Sequence, residues 1–514
     1  MSETALKFSA PMNMVHPFRW LILILLLGLG LRITCWNIQD TLYEDSIGYI
    51  MDASTLTSDS LLRSQFQEPL HPLILRLAHK IFFPGDVSTN PVNPAAWQTA
   101  AFAATLTFSL LSIILIYILG TQLHSKTAGA WAALFTALQP YGIIYAVNGL
   151  TESSYIVFFL LALCLALRKS PSLNRLLILA GMSSFLALLI RKDGVILPGI
   201  FVVYLLLQKD RSLTNRFLGL LLFFLGFLGG AACYASIGGR FYWLTPYLSS
   251  LTAVWRLPIF DRTPLSVLPL ATIWGVSHSK IPFLLLAGWF KLSGFIPATL
   301  FVLFFLYPRC WSSSRKTLLP LFAFVFQIAL VVGFTLKMGY FTTRYLFPAA
   351  VVTFPVAGIA LAEMLKKIRE KYPTWSLTQA SLPFALLTLA ILIPSVLVSA
   401  YHQRRPEILA AAHWIATNSP PDSVLYAGDN RIGFYCLRKN FSVSPLLFRD
   451  VMASIHNYRG KNCYLALYFS PSARQTVLQT LSGTAAALNF KPHRIHVIRT
   501  PKKEIEIYLL TIPD

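Results

Sequence analysis

The chain has 514 residues, of which 55% are hydrophobic and only 12% are charged, and its formal net charge is +22. Soluble globular chains carry about 25% charged residues, so this composition excludes that class and indicates a polytopic membrane protein. Lys and Arg collect in the cytoplasmic loops of membrane proteins and near anionic headgroups, and we therefore assign the positive charge to the membrane and not to nucleic acid.

The first predicted element is a membrane helix. The apolar segment Phe18 to Cys35 is long enough to span, and no small-residue cleavage site follows it, so we predict a retained helix. Arg32 near its outer end either snorkels or contacts a lipid-linked phosphate. From Trp36 to about Ala96 the chain is mixed and proline-rich, which predicts a long outer loop with two short interfacial helices, Ser46 to Leu62 and Leu70 to Phe83.

Further apolar segments follow, and with the first helix they predict about eleven membrane spans. They cover residues 97–119, 128–147, 155–167, 176–190, 195–207, 217–236, 281–307, 318–336, 345–365 and 382–400. If the amino terminus is cytoplasmic, nearly every inner loop is basic, as the positive-inside rule expects. The outer face then receives residues 36–96, 148–152, 191–194, 238–280, 337–344 and everything after 401.

The last stretch, residues 401–514, has no spanning segment. Alternating apolar residues at 423–427, 463–468 and 504–510 predict strands. The fold class is therefore a polytopic α-helical membrane domain, residues 1–400, with a small extracytoplasmic α/β domain, residues 401–514. Cys436 and Cys463 both lie in the second domain, where a disulfide is permitted, but nothing in the sequence fixes their separation.

Two adjacent carboxylates, Glu44 and Asp45, lie immediately outside the first predicted span. This pair is too polar for the hydrocarbon layer, and we predict an acid/base site at the membrane surface, with solvated loop charges as the alternative. The sequence contains no Walker loop or dinucleotide fingerprint, which disfavours an ATP-driven transporter.

The segment Asp45-Ser46-Ile47-Gly48-Tyr49, with Ala53 following, resembles the first-loop motif of polyprenyl-phosphate-sugar-dependent glycosyltransferases of the GT-C superfamily. These include the protein O-mannosyltransferases of glycosyltransferase family 39 and the aminoarabinose transferases that modify lipid A. Members usually read Asp-Glu, two residues, Tyr. On that register Asp45 takes the place of the catalytic aspartate, Ser46 replaces the usual glutamate, and Glu44 supplies a carboxylate on the other side. The division of labour between Glu44 and Asp45 stays open.

Other short motifs follow in the order of that family. Glu68-Pro69-Leu70-His71-Pro72-Leu73 is similar to its proline-rich first-loop segment, Thr151-Glu152 to the acidic residue of its second outer loop, and Arg344-Tyr345-Leu346-Phe347-Pro348 to the Arg-Tyr-x-x-Pro that opens a late span. We predict substrate contacts from residues on this face: Tyr49, His71, Glu152, Arg191, Lys192, Arg344 and Tyr345.

Most of these positions have a structural alternative. Glu152 begins a predicted helix and can complement its dipole. Asp193 can pair with Lys192 in an interfacial turn, and Arg344 can snorkel. His71 between two prolines is more often structural.

The predicted reaction needs a base for the acceptor proton and cations for the departing phosphate. Asp45 is the predicted base of an inverting displacement, and Arg191, Lys192 and Arg344 are the predicted cations. The resemblance implies a hexosyl- or pentosyltransferase of the inner membrane that uses no nucleotide sugar and passes its sugar to a lipid, glycan or protein.

No cofactor is certain, and a divalent cation held by Glu44 and Asp45 with Glu152 is an alternative. The competing functions are a transporter or flippase of lipid-linked saccharides and a polymerase or ligase of surface polysaccharide.

Overall fold

The computed structural model describes residues 17–55, 68–85, 93–168, 173–208, 212–237, 239, 281–306, 315–338, 341–437, 439–442, 453–458, 461–500 and 503–511. A helical bundle forms the larger part and ends at His402. Its helices are α1 (Pro17–Ile38), α2 (Glu44–Thr55), α3 (Leu70–Phe82), α4 (Pro94–Leu123), α5 (Lys126–Leu138), α6 (Pro140–Val147), α7 (Thr151–Leu167), α8 (Leu173–Ile190), α9 (Ile196–Leu206), α10 (Leu213–Ser236), α11 (Ile281–Ser293), α12 (Phe295–Leu306), α13 (Leu318–Met338), α14 (Phe347–Lys371) and α15 (Leu377–His402).

The bundle is built from apolar helices of unequal length. In the described residues six helices are long and apolar enough to cross a membrane, or up to eight if each of two bent pairs is one span. Within the described residues, each apolar segment predicted above is helical over most of its length. Helices α7 and α8 are shorter apolar helices, and the predicted count of about eleven spans is not confirmed. The polytopic helical fold class is confirmed.

Two predicted spans are broken helices. The segment predicted as one span over 128–147 bends by 55° between α5 and α6, because Pro140 has no N–H to continue the helix and the Gln139 side chain caps the new one at the Gly142 N–H. The segment over 281–307 bends by 113° at Gly294, whose φ of +80° is a conformation that glycine adopts without strain.

Helix α14 lies at the centre of the bundle. In its most apolar stretch of 18 residues 94% are buried, whereas in the corresponding stretch of α15 only 17% are buried. A short 3-10 turn, Thr343–Leu346, precedes α14. Arg344 therefore lies at the middle of one end of the bundle. Helices α2 and α3 cover the same end. The predicted helix at α3 is confirmed, and α2 begins two residues before its predicted start. Residues 56–62 of the α2 prediction lie outside the described residues.

The chain after α15 forms a small α/β domain with a five-stranded sheet. Its strands are β1 (Val424–Ala427), β2 (Lys439–Ser442), β3 (Cys463–Phe469), β4 (Lys491–Arg499) and β5 (Glu504–Thr511), in the order β2-β1-β3-β5-β4. β1 is parallel to β2 and β3, whereas β5 is antiparallel to β3 and β4. The predicted strands at 423–427, 463–468 and 504–510 are confirmed; the boundary at 400/401 stays a prediction.

Helices α16 (Pro406–Asn418) and α17 (Asn430–Cys436) cover one face of this sheet, and α18 (Arg474–Ala487) covers the other. Cys436 belongs to the core on the α17 side and Cys463 to the core on the α18 side. Both residues are buried thiols, and neither is in a disulfide. The structure thus contradicts a disulfide between them, because the sheet separates the two side chains.

The α/β domain contacts the segment that leads into α2. The Leu42 N–H donates to the Tyr435 hydroxyl at 3.0 Å, and the Tyr43 hydroxyl donates to Gln403 Oε1 at 2.8 Å. Phe434 of α17 packs in one apolar cluster with Leu42 and Ile47. These contacts hold the start of α2, which carries the predicted acid/base pair, between the bundle and the domain.

Candidate functional site

A buried carboxylate lies at the centre of the site. Glu152, in the first turn of α7, has a side chain only 1% exposed, and its Oε1 accepts hydrogen bonds from Arg191 Nη1 at 2.6 Å and from Arg344 Nε. A buried carboxylate is costly unless it is paired, so the two guanidinium groups stabilise Glu152 and are held in place by it. Pairing with these two arginines is therefore the main role of Glu152, and its predicted interaction with the dipole of α7 is secondary.

Arg344 connects this buried pair to the surface. Its Nη1 donates to Asp45 Oδ2, and the Asp45 side chain is 61% exposed whereas that of Arg344 is 19% exposed. Arg191 in turn contacts Asp193 Oδ2 at 2.9 Å. Alternating charges thus run from Asp45 through Arg344, Glu152 and Arg191 to Asp193, over four separate parts of the chain. Arg344 does not snorkel: both ends of its guanidinium are engaged.

Lys192 pairs with a residue that the sequence interpretation did not select. Its Nζ lies 3.9 Å from Glu68 Oε1, and its backbone N–H donates to the same oxygen at 3.3 Å. Asp193 and Lys192 therefore do not pair with each other as expected. Asp193 pairs with Arg191, and Lys192 pairs with Glu68. The signal that could have identified Glu68 is its place at the head of the proline-rich motif.

Tyr49 and Tyr345 flank the charged residues. Tyr49 lies one turn after Asp45 on α2, and burial raises its pKa to about 12. The Tyr345 ring lies 5.8 Å from the Arg191 guanidinium, within cation–π range. Both residues line a cavity, described below.

His71 is placed behind these residues. It is fully buried, its ring meets the edge of Tyr49 at 5.0 Å, and its nitrogens lie 3.1 Å from Ser154 Oγ and 3.1 Å from the Gly149 carbonyl. It lines neither of the cavities beside Asp45. The geometry favours the structural alternative for His71 and not the predicted substrate contact.

We expect His71 to make the protein less stable in mild acid. Burial lowers its pKa to about 4 from the ordinary 6.5, so between these values the unfolded state binds more protons, and the free energy of unfolding falls as the pH drops from 6.5 towards 4. Thermal melting in detergent from pH 7.5 to 4.5 measures this loss. A His71→Gln variant should lose less stability over that range, and the exposed His402→Gln control should behave as wild type; equal losses in all three would contradict the assignment.

Glu44 and Asp45 face different surroundings although they are adjacent. The Glu44 carboxylate accepts a hydrogen bond of 3.5 Å from the Asn430 N–H of the α/β domain. Burial and, second, the Asp429 carboxylate raise the pKa of Glu44. Asp45 is instead directed at Arg344. The geometry therefore gives different surroundings to two carboxylates whose division of labour the sequence left open.

Two cavities meet at the Asp45–Arg344 ion pair. The span-side cavity has a volume of about 270 Å³. Its wall includes the charged residues Glu68, Arg191, Lys192 and Asp193 and the apolar residues Leu330, Val331 and Phe334 of α13. The domain-side cavity, of about 370 Å³, is lined by Tyr43, Glu44, Tyr141, Tyr145, Arg405 and Arg431. Asp45 and Arg344 line both cavities. A group bound in either cavity thus reaches the same carboxylate.

Arg32 takes no part in this site. It is 1% exposed, and it donates to Ser109 Oγ at 2.8 Å and to the carbonyls of Gly28 and Ala137 at 2.9 and 3.2 Å. Arg32 does not snorkel, because Ser109 of α4 and the carbonyls of Gly28 in α1 and Ala137 in α5 receive its guanidinium.

The metal alternative has no matching donor set. In the part of the chain that the structure describes, no group of three or more His, Cys, Asp or Glu side chains is placed to hold a metal ion. Asp45 and Glu152, two of the three carboxylates of that alternative, share the Arg344 guanidinium, and Glu44 is directed at Asn430.

Comparison with known proteins gives one family match and several similar folds. Residues 67–231 match the family model described as dolichyl-phosphate-mannose-protein mannosyltransferase. A search of the curated proteins gives no match. The solved structure of ArnT from Cupriavidus metallidurans bound to undecaprenyl phosphate is similar over 95% of this chain and 98% of that one, with 16% identity and a TM-score of 0.57.

A second solved structure is similar over most of its length. AglB, the archaeal oligosaccharyltransferase from Archaeoglobus fulgidus in complex with an inhibitory peptide and a dolichol-phosphate, matches over 92% of this chain and 71% of that one, with 13% identity and a TM-score of 0.59. At these identities the likeness establishes the fold. With the family-model match, it confirms the resemblance first indicated by the Asp45 motif.

Proposed function

We propose that this chain, which has the fold of the GT-C membrane glycosyltransferases, moves a hexosyl or pentosyl group from a polyprenyl-phosphate carrier to an acceptor. The observation that carries the proposal is the position of Asp45, whose carboxylate lies on the wall that two cavities share and is paired with Arg344. A transferase needs such an arrangement, because donor and acceptor must meet at one base.

The span-side cavity suits the donor. Arg191, Lys192 and Arg344 line it and can neutralise a phosphate. Among the described residues the carboxylate partner of Lys192 is Glu68, at a distance of 3.9 Å. On the other side of the cavity α13 contributes apolar side chains from a helix apolar enough to span a membrane. This combination matches a phosphate at the head of a polyprenyl chain. The structures of ArnT and AglB contain undecaprenyl phosphate and dolichol-phosphate respectively.

The reaction is an inverting single displacement. Asp45 accepts the proton of the acceptor hydroxyl as its oxygen forms a bond to the anomeric carbon, and the bond from that carbon to the phosphate oxygen breaks. The bonding electrons leave with the polyprenyl phosphate, whose increased negative charge Arg191, Lys192 and Arg344 stabilise. Arg344 also orients the Asp45 carboxylate, and the Glu152 carboxylate holds the guanidinium groups of Arg344 and Arg191 in position.

The site lies at the end of the bundle that carries α2, α3 and the α/β domain. The basic character of the opposite loops indicates that the opposite end is cytoplasmic. The proposal therefore places catalysis on the outer face of the inner membrane and the α/β domain outside the cytoplasm.

The test follows a radiolabelled sugar on undecaprenyl phosphate in membranes that contain the wild-type chain, with membranes lacking it as the control. Lipid, glycan and protein fractions are separated and counted. We expect one of them to gain label as undecaprenyl phosphate is released in equal amount. Labelled sugar that crosses to the other leaflet but stays on undecaprenyl phosphate would overturn the proposal in favour of a flippase. Transfer that occurs only when the donor carries a preassembled oligosaccharide would favour a polymerase or ligase.

A further inference from the structure

The domain-side cavity shares the Asp45–Arg344 pair with the proposed donor site. Its volume of about 370 Å³ falls within the range of about 300–1,000 Å³ found for small-molecule sites. On the proposed function, on which this inference rests, a group held here reaches Asp45 from a cavity other than the one that holds the phosphate. An inverting displacement needs separate places for the acceptor and the leaving group.

Tyrosine rings form much of its wall. Tyr43, Tyr141 and Tyr145 all line the cavity, and two of them are fixed by other contacts. The Tyr43 hydroxyl donates to Gln403 at 2.8 Å, and the Tyr145 ring packs edge-on against Phe347 with 5.1 Å between centroids. Rigid aromatic faces with a polar rim suit a saccharide, whose ring has an apolar face and hydroxyl edges.

Three arginines line the cavity, and two of them are neutralised. Arg344 is paired with Asp45, and Arg431 is paired with Asp429 at 2.6 Å. The third, Arg405, uses Nη1 to donate to the backbone carbonyls of His402 and Arg404 at 3.0 and 2.9 Å. Within the described residues no carboxylate forms an ion pair with Arg405.

The main chain of Arg405 is nevertheless fixed. Its N–H donates to Asp40 Oδ1 at 2.9 Å, which ties the start of α16 to the end of α1. A guanidinium that is anchored by its backbone, lines a cavity and lacks an anionic partner is suited to bind an anion of the ligand.

We propose that the domain-side cavity binds the acceptor as a saccharide carrying an anionic substituent, phosphate or carboxylate, which Arg405 recognises. The α/β domain thereby selects the acceptor, while the bundle supplies the donor site and Asp45. Removal of the Arg405 charge weakens binding of such saccharides by about tenfold or more, the size expected for a charge-assisted hydrogen bond.

The test uses purified full-length protein in detergent, saturated with undecaprenyl phosphate so that the donor's phosphate site is filled. Glucose 6-phosphate, galacturonate, glucose and inorganic phosphate are titrated, and the shift in melting temperature gives the half-saturating concentration of each. Wild type is compared with Arg405→Gln and with Arg404→Gln, a neighbouring residue outside the domain-side cavity. Melting without any probe verifies that each variant is folded.

We expect one or both charged sugars to stabilise wild type and Arg404→Gln, with an at least tenfold higher half-saturating concentration for Arg405→Gln. A response to glucose 6-phosphate alone assigns a phosphate, and a response to galacturonate alone assigns a carboxylate. The proposal is overturned if glucose or inorganic phosphate alone stabilises as well as the charged sugars, if no probe stabilises wild type, or if Arg405→Gln responds as wild type does. Because binding is measured without sugar transfer, this outcome is independent of the labelled-donor test.

Discussion

Sugar transfer by an Arg344→Gln variant is expected to fall at least a hundredfold, the loss typical when a group that stabilises developing charge is removed. Arg344 has three partners in the proposed reaction: the departing phosphate, Asp45 and the buried Glu152. Glutamine keeps part of the length but carries no charge. Labelled sugar transfer per amount of folded protein measures the effect.

An Arg344→Lys variant separates charge from geometry. Lysine keeps the positive charge but cannot bridge Asp45 and Glu152 as a planar guanidinium does, so its activity should lie between those of wild type and Arg344→Gln. Arg494→Gln serves as the matched control, since Arg494 pairs with Glu506 in the α/β domain at 3.4 Å. An Arg344→Gln variant with more than half the wild-type rate would remove Arg344 from the mechanism.

The second large effect concerns Glu152. A Glu152→Gln change leaves the buried Arg191 and the partly buried Arg344 without their shared carboxylate, and removal of one partner from a buried ion pair typically costs about 3–5 kcal/mol in the free energy of unfolding. We expect a clear fall in melting temperature and loss of transfer, because two of the three cations of the donor site, Arg191 and Arg344, lose their shared anchor.

Glu363→Gln provides the comparison for that prediction. Glu363 pairs with His124 at 2.8 Å, but both side chains are partly exposed, so the loss should be much smaller. Equal melting temperatures for wild type and Glu152→Gln would show that the buried charges are not coupled as described.

The apolar segments of the sequence were sufficient to predict where the membrane helices lie, because burial in lipid leaves a direct compositional signal. They did not predict how the helices break. Pro140 lies at a bend of 55° and Gly294 at a bend of 113°. A hydropathy average over many residues is nearly unchanged by one proline or one glycine, so it does not predict either bend. The position of α14 at the centre of the bundle also depends on packing between helices.

The site was partly predictable. Asp45, Glu152, Arg191 and Arg344 come from four parts of the chain, and their common predicted face indicated that they could meet. The pairing itself is tertiary information: Arg344 and Asp45 are 299 positions apart. Arg405 was not selected, because its significance depends on the α/β domain contacting the start of α2.

The measurement that tests the central claim most directly is labelled sugar transfer by Asp45→Asn at wild-type protein level, with the exposed Asp422→Asn as the matched control. Asparagine keeps the size of the side chain and removes the base. The account predicts a loss of about a hundredfold to ten-thousandfold for Asp45→Asn, a smaller loss for Glu44→Gln, and an unchanged rate for Asp422→Asn. Transfer by Asp45→Asn at the wild-type rate would contradict a mechanism in which Asp45 accepts the acceptor's proton.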